Sequence, residues 1–234
     1  MKLSKRLQAV AQLVPPGSIC ADIGSDHGYL PIYLVKNEIC PKAICADVAN
    51  GPLKSAERNI AAVNLKEEIS LRLGNGLTVL KEGEASCVTI CGMGAGLMCE
   101  ILDNSPSIVK SVDSFIFAPN VAPEILRKWA SEHHWQITDE ELIEEDGHFY
   151  PIIVLKSGEM APLSTAELFA GPILLKKKHP LLGEYLRHLR QKEMELTDKL
   201  LKVGQANTIE RAAYLQDKWR KIEEAYLWQY KSAL

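Results

Sequence analysis

From residue 1 to about residue 135 the chain repeats one pattern: a short apolar run, then a longer segment whose apolar residues recur every three or four positions. That alternation marks stacked βαβ units, because parallel strands need a crossover helix to return the chain to the same end of the sheet. The runs predict strands near 18–24, 42–47, 68–73, 85–91 and 113–118, with helices over 27–37, 52–64, 95–104 and 122–134 and a leading helix over 3–13. After Trp135 two further runs, 136–143 and 150–156, flank Glu144-Glu145-Asp146-Gly147-His148. Asp-Gly favours a tight turn, so this pair predicts an antiparallel hairpin at the sheet edge. The fold class that follows is α/β, with a seven-stranded, mostly parallel Rossmann-like sheet.

At 234 residues the chain exceeds what one such domain needs. Residues 157–175 are rich in turn formers and predict a boundary, giving a domain over 1–158 and a second over 159–234. In the second, Leu182, Leu186, Leu189, Leu196, Leu200 and Val203 form a narrow apolar stripe, interrupted where Glu193 takes a seam position. Gly204-Gln205-Ala206-Asn207 breaks it, and Ala212, Leu215, Trp219, Ile222 and Tyr226 resume it. Two narrow stripes joined by a short polar turn predict an antiparallel coiled-coil hairpin.

The most telling local sequence is Asp22-Ile23-Gly24-Ser25-Asp26-His27-Gly28-Tyr29-Leu30-Pro31, at the turn from the first strand into a helix. A phosphate-binding fingerprint would carry Gly-x-Gly-x-x-Gly and leave the helix N-terminus bare. This loop offers only Gly24 and Gly28 and adds Asp22 and Asp26, whose carboxylates repel phosphate and suit a cation. A nucleoside cofactor with a positive centre and no phosphate is S-adenosyl-L-methionine, so Asp22 is expected beside its sulfonium end. Asp47 ends the second strand about twenty residues after the glycine loop, where an acid accepts hydrogen bonds from ribose hydroxyls. Asn75, in Gly74-Asn75-Gly76-Leu77 after the third strand, can meet an adenine edge; Asn-Gly is also a plain turn.

The fourth strand runs into Gly92-Met93-Gly94-Ala95-Gly96 beside the first, where a doubly wound sheet opens its crevice. Glycines there let a substrate base approach the backbone. The Asn or Asp, paired prolines and aromatic that grip an exocyclic amine in amino-methyltransferases are absent. A ring nitrogen needs none of them: adenine N1 is unprotonated at neutral pH, and its in-plane lone pair is ready for in-line attack. Catalysis is then chiefly alignment and desolvation.

These motifs, with Pro119-Asn120-Val121-Ala122-Pro123 and Glu145-Asp146-Gly147, resemble the bacterial TrmK family over essentially the whole chain. That resemblance implies a class I methyltransferase domain using S-adenosyl-L-methionine, a coiled-coil C-terminal domain, and tRNA as the substrate, modified at N1 of adenine 22. It places Gly24, Ser25, His27 and Gly28 at the cofactor's methionine end, Asp47 at its ribose, and Val48, Asn75 and Gly76 at its adenine. It offers Asp26 and Asn120 as contacts to the target base, Asp26 accepting from the exocyclic amine. Gly92 completes the cofactor set; Tyr29 and Tyr150 suit stacking on the base or packing in the core. The family pattern leads one to expect a Gln before Pro119, where this chain has Ala118.

Charge is divided unevenly. Residues 171–234 hold 13 Lys and Arg against 8 Asp and Glu, leaving 14 against 22 in residues 1–170. A basic appendage on an acidic body suits a polyanion, and Lys176, Lys177, Lys178, Arg187 and Arg190 are the expected phosphate contacts. Lysines and arginines that merely solvate a helical face would look the same. The six cysteines all fall in the first hundred residues, within apolar runs and with no Cys-x-x-Cys pair, so buried reduced thiols are expected and no metal site. No stretch reaches the roughly 18–20 apolar residues of a membrane span. A cytoplasmic monomer is expected, with dimerisation through the helical hairpin as the alternative. Three other functions compete. An NAD-dependent oxidoreductase is opposed by the loop aspartates, and a methyltransferase of another RNA, a protein or a small molecule leaves the basic tail unexplained. A non-enzymatic scaffold dimerising through the hairpin would account for the seam.

Overall fold

The computed structural model describes residues 3–203 and 205–231, with side chains as far as residue 227. The chain divides into two compact units, Met1–Met160 and Ala161–Leu234.

The first unit is built on seven strands: β1 (Cys20–Ile23), β2 (Ala43–Asp47), β3 (Ile69–Leu73), β4 (Cys87–Cys91), β5 (Ser114–Ala118), β6 (Trp135–Glu145) and β7 (His148–Ser157). They lie in the order β3-β2-β1-β4-β5-β7-β6. The first five run parallel, and β7 enters antiparallel between β5 and β6. The β6–β7 turn places Asp146 and Gly147 at φ 52° and 74°; two successive positive φ values match the right-handed twist of the flanking strands.

Helices α1 (Lys5–Leu13), α2 (Tyr29–Lys36), α3 (Asn50–Ala62), α4 (Ala95–Asp103), α5 (Pro106–Ser111) and α6 (Pro123–Glu132) make the crossovers and the lead-in. On one face Val10 and Ala11 of α1 and Leu30 and Leu34 of α2 pack on Cys20, Cys87, Ile116 and Ile152. Ile32, Ala56 and Ile60 of α2 and α3 cover Ala43, Cys45 and Ile69. The alternate strand residues Val88, Ile90, Phe115 and Phe117 are equally buried, so both faces of the sheet are covered, as a parallel sheet requires. Six residues of α5 were not legible in the sequence; Pro106 starts that helix at its first position and Ile108 and Val109 anchor it.

In the second unit the turn-rich reading of 157–175 is corrected. Helices α7 (Thr165–Ala170) and α8 (Pro172–Lys177) occupy part of it. Ser164 and Glu167 form a reciprocal capping box, and Gly171 ends α7 while Pro172 opens α8. Serine, glycine and proline here are helix punctuation rather than loop.

Helices α9 (Leu182–Val203) and α10 (Ala206–Lys231) then pair. Arg190 meets Glu223 at 2.8 Å, and Glu193 accepts from Trp219 Nε1 at 2.8 Å, so the helices run antiparallel. The seam on α9 differs from the expected stripe: Thr197 is buried while Leu196 and Val203 are exposed. Glu193 explains the drift. Its carboxylate pairs with Lys218, which is itself buried with its ammonium 4.1 Å from the Phe169 ring centroid. This ion pair, buried at Lys218 and half-exposed at Glu193, holds these helices in one register, and the apolar stripe bends around it. On α10, Ala212, Leu215, Trp219 and Ile222 are buried as expected. Gly204, part of the expected break, lies outside the described residues.

Candidate active site

The crevice lies where the chain's crossovers leave β1 and β4 in opposite directions, at the carboxyl ends of these neighbouring strands. Backbone bonds shape its first wall. Gly24 N and Ser25 N both donate to the Ala46 carbonyl, at 2.8 and 3.0 Å, tying the β1 loop onto the end of β2. Gly28 caps α2 at φ 71°, and a Cβ there would stand 3.1 Å from Ala56 Cβ and 3.6 Å from Cys45 Sγ. Both the dihedral and the close approach to α3 demand glycine.

Asp22 sits at the floor, 5% exposed. Its oxygens accept from Ser25 Oγ at 2.6 Å and Thr89 Oγ1 at 2.7 Å, so it joins β1 to β4 and orients the loop serine. Burial pushes its carboxyl above the usual range, against the pull of the two hydroxyls. Asp47 accepts from Ala49 N at 2.8 Å and from Asp26 N at 3.4 Å, so the acid at the end of β2 also anchors the β1 loop. Asp26 itself is exposed, its carboxylate 3.4 Å from His27 Nε2, and the His27 ring stacks on Tyr29 at 5.2 Å. Val48 is 71% exposed at the rim. Beyond β3, Asn75 and Gly76 border a hollow whose other wall includes Leu97, Glu100 and Ile101.

The second wall is β4 and β5. Gly92, at φ 80°, donates to the Ala118 carbonyl at 3.0 Å, and Asn120 N donates to the Met93 carbonyl at 2.8 Å. The two loops thus zip together beyond the sheet. Ala118, where Gln was expected, is fully buried in β5. Asn120 donates from Nδ2 to the Gly92 carbonyl at 2.7 Å and accepts at Oδ1 from Arg6 Nη1 at 3.0 Å. The amide is engaged at both ends, which narrows how Asn120 can meet a base. Arg6 was missed in the sequence: a Lys-Arg pair opening an amphipathic helix carries no signal that it reaches across to β4 and β5.

Local chemistry offers no thiolate nucleophile here. Burial raises the Cys91 thiol and pushes Cys45 up to about 12. All six cysteines are free, and the described residues contain no group of three or more side chains suited to a metal. In the second unit Lys176 and Lys177 end α8 and Lys178 caps it. Arg187 donates from Nε to the Gly183 carbonyl at 3.3 Å, and Arg190 is paired with Glu223.

A doubly wound seven-stranded sheet with an acid at the end of β1, another at the end of β2 and glycines after β4 defines the class I methyltransferases. Residues 3–153 match the family model described as a methyltransferase domain. The chain is 39% identical to the tRNA (adenine(22)-N(1))-methyltransferase of Bacillus subtilis over 184 residues, 76% of this chain and 77% of that protein. It superposes on the crystal structure of B. subtilis TrmK with a TM-score of 0.89 at 32% identity, covering 96% and 99% of the two chains. The structure of M. capricolum TrmK in complex with S-adenosyl-homocysteine gives 0.83 at 30% identity, covering 97% and 98%. The chain belongs to the TrmK family.

Proposed function

We propose that this protein transfers the methyl group of S-adenosyl-L-methionine to N1 of adenine 22 in tRNA. The observation that carries the reading is Asp22: a buried carboxylate whose partners are the hydroxyls of Ser25 and Thr89, with no cation of the chain among them. A buried charge favours an opposite partner, and a ligand bearing a sulfonium and an ammonium supplies one. The same carboxylates disfavour a pyrophosphate cofactor. Relatives named for, or solved with, this chemistry support it.

Asp22, Gly24, Ser25, His27, Gly28 and Gly92 would hold the methionine end of the cofactor, Asp47 its ribose hydroxyls, and Val48, Asn75 and Gly76 its adenine. When bound, the cofactor supplies an electrophilic methyl group. The chain's part is then alignment. Gly92 lets the target base come close to the backbone of β4, the Arg6–Asn120–Gly92 chain of hydrogen bonds fixes that wall, and Asp26 accepts from the exocyclic amine. As N1 forms its bond to carbon the base becomes cationic, and the nearby Asp26 carboxylate stabilises that charge. N1 carries no proton at neutral pH, so no strong general base is required. The basic set Lys176, Lys177, Lys178, Arg187 and Arg190 contacts RNA phosphates, and the protein acts in the cytoplasm as a monomer; no described helix is long and apolar enough to cross a membrane.

The test is methyl transfer by the full chain to an unmodified tRNA transcript and to the same transcript with guanine at position 22. Methylation of the first alone is expected. Equal labelling of both would refute the position, and labelling of neither would refute the substrate.

A further inference from the structure

On the β4–β5 side of the crevice lies a guanidinium whose remaining donors the proposed chemistry leaves unassigned. Arg6 lies in the first turn of α1, and its placement is set by other elements. Ser4 caps the helix. Glu145, from the β6–β7 hairpin, accepts from Lys5 N at 2.6 Å and from Arg6 N at 3.4 Å, pinning the helix end to the hairpin. The side chain then passes over the Tyr150 ring, 4.8 Å from its centroid, and donates to Asn120. Its Nη2 stands 3.9 Å from where a side chain at Gly92 would begin. The guanidinium is therefore held between an aromatic face and an amide, at the glycine that opens the crevice.

A guanidinium presents five N–H donors in a fixed fork, matched to two oxygens of a carboxylate or phosphate. Asn120 takes one. The residue is half-buried, and its bond to Asn120 is open to the crevice mouth and to solvent. Resting on the methyl-transfer reading, we propose that Arg6 is the oxyanion-binding residue of this crevice, gripping a pair of anionic oxygens brought by a reactant. Two reactants carry such a group: the α-carboxylate of the cofactor and a phosphate flanking the target nucleotide. Either would neutralise Arg6, removing a positive charge that otherwise opposes the cationic adenine formed at the same site.

The experiment compares wild type, Arg6→Gln and Arg6→Lys as full chains. It measures calorimetric affinity for S-adenosylmethionine and S-adenosylhomocysteine, the salt dependence of tRNA binding, methylation rate, and melting temperature. If the cofactor carboxylate is the ligand, Arg6→Gln weakens both small molecules about tenfold or more and leaves the tRNA salt slope unchanged. If an RNA phosphate is the ligand, cofactor affinity stays, KM for tRNA rises, and the log–log salt slope falls by about one. Arg6→Lys recovers part of the loss in either case, because it restores the charge without the fork. Cofactor affinity and salt slope both at wild-type values in Arg6→Gln would overturn the proposal, whatever happens to melting. Failure of the wild type itself to methylate tRNA would instead refute the substrate reading, with the cofactor measurement still able to judge Arg6.

Discussion

Replacing Asp22 by Asn separates the two duties assigned to this carboxylate, tying β1 to β4 and attracting a cationic ligand. Two short bonds from Ser25 and Thr89, 2.6 and 2.7 Å, hold it, each of a charge-assisted kind worth about 1.5–3 kcal/mol. Against them stands the cost of burying a charge, and burial is the larger influence on its carboxyl, which is raised. The sign follows from proton binding. Between the unfolded carboxylate pKa and the raised folded one the native state holds more protons than the unfolded chain, so stability falls as pH rises through that window. Above it the penalty is fully present.

Asparagine is isosteric and neutral, and hydroxyls can rotate to accept as well as donate, so both contacts survive. Asp22→Asn should therefore melt within about 1 kcal/mol of wild type at neutral pH, and on the stabilised side. That is a shift of about 4 °C at most for a chain of this size, with a flatter acid limb. Thr89→Val, which strips a donor from a buried carboxylate, should cost about 2–3 kcal/mol in the wild type and about 1 kcal/mol when combined with Asp22→Asn. Asp22→Asn should also weaken S-adenosylmethionine about tenfold, or 1.4 kcal/mol. Equal weakening of S-adenosylhomocysteine assigns the charge to the ammonium; weakening of S-adenosylmethionine alone assigns it to the sulfonium. Differential scanning fluorimetry and calorimetry read both quantities. A variant that loses more than about 2 kcal/mol of stability while binding the cofactor normally would refute the reasoning, leaving Asp22 a structural tie.

Three other outcomes are expected. Gly28→Ala puts a side chain at φ 71°, 3.1 Å from Ala56 Cβ, and should cost about 2 kcal/mol in chemical denaturation; a loss under about 0.5 kcal/mol would mean the loop has another conformation open to it. Glu193→Leu leaves Lys218 buried without its carboxylate and Trp219 Nε1 without an acceptor, costing about 3 kcal/mol, and adding Lys218→Met should recover most of it; thermal melts followed by helical circular dichroism decide. Arg72 holds Glu84 with two N–H···O bonds, lowering its carboxyl to about 2. That stability is present above the ordinary carboxylate pKa and lost as pH falls through about 2, so Glu84→Gln should remove about 1 kcal/mol at pH 7 and only a small fraction of that at pH 2, as urea titrations at the two pH values would read.

The strands were legible because each is a buried apolar run bounded by turn residues, and their ends differ from expectation by only one or two positions. The hairpin was legible for the same reason, with Asp146-Gly147 marking its turn. Helix α5 was not: six residues give too little periodicity to stand out. Nor were α7 and α8, whose Ser164, Gly171 and Pro172 are turn formers in isolation and become caps only when a helix follows. The stripe on α9 was read from apolar spacing alone, and it failed at Leu196 and Val203 because the pairing of Glu193 with the buried Lys218 outweighs two apolar side chains in setting the register.

The loop Asp22–Pro31 carried its meaning in sequence. Two glycines and two acids at a strand-to-helix turn state a charge preference that no folding detail is needed to read, and alternation alone states the sheet. What tertiary structure decided is which groups share the crevice and how they are held there. Asp22 meets Thr89 because β1 and β4 are neighbours 67 residues apart in sequence, and Arg6 meets Asn120 across 114. Periodicity reports the local chain, with a range of a few residues; hydrogen bonds between strands from opposite halves of a doubly wound sheet follow from topology, and no spacing along the chain records them.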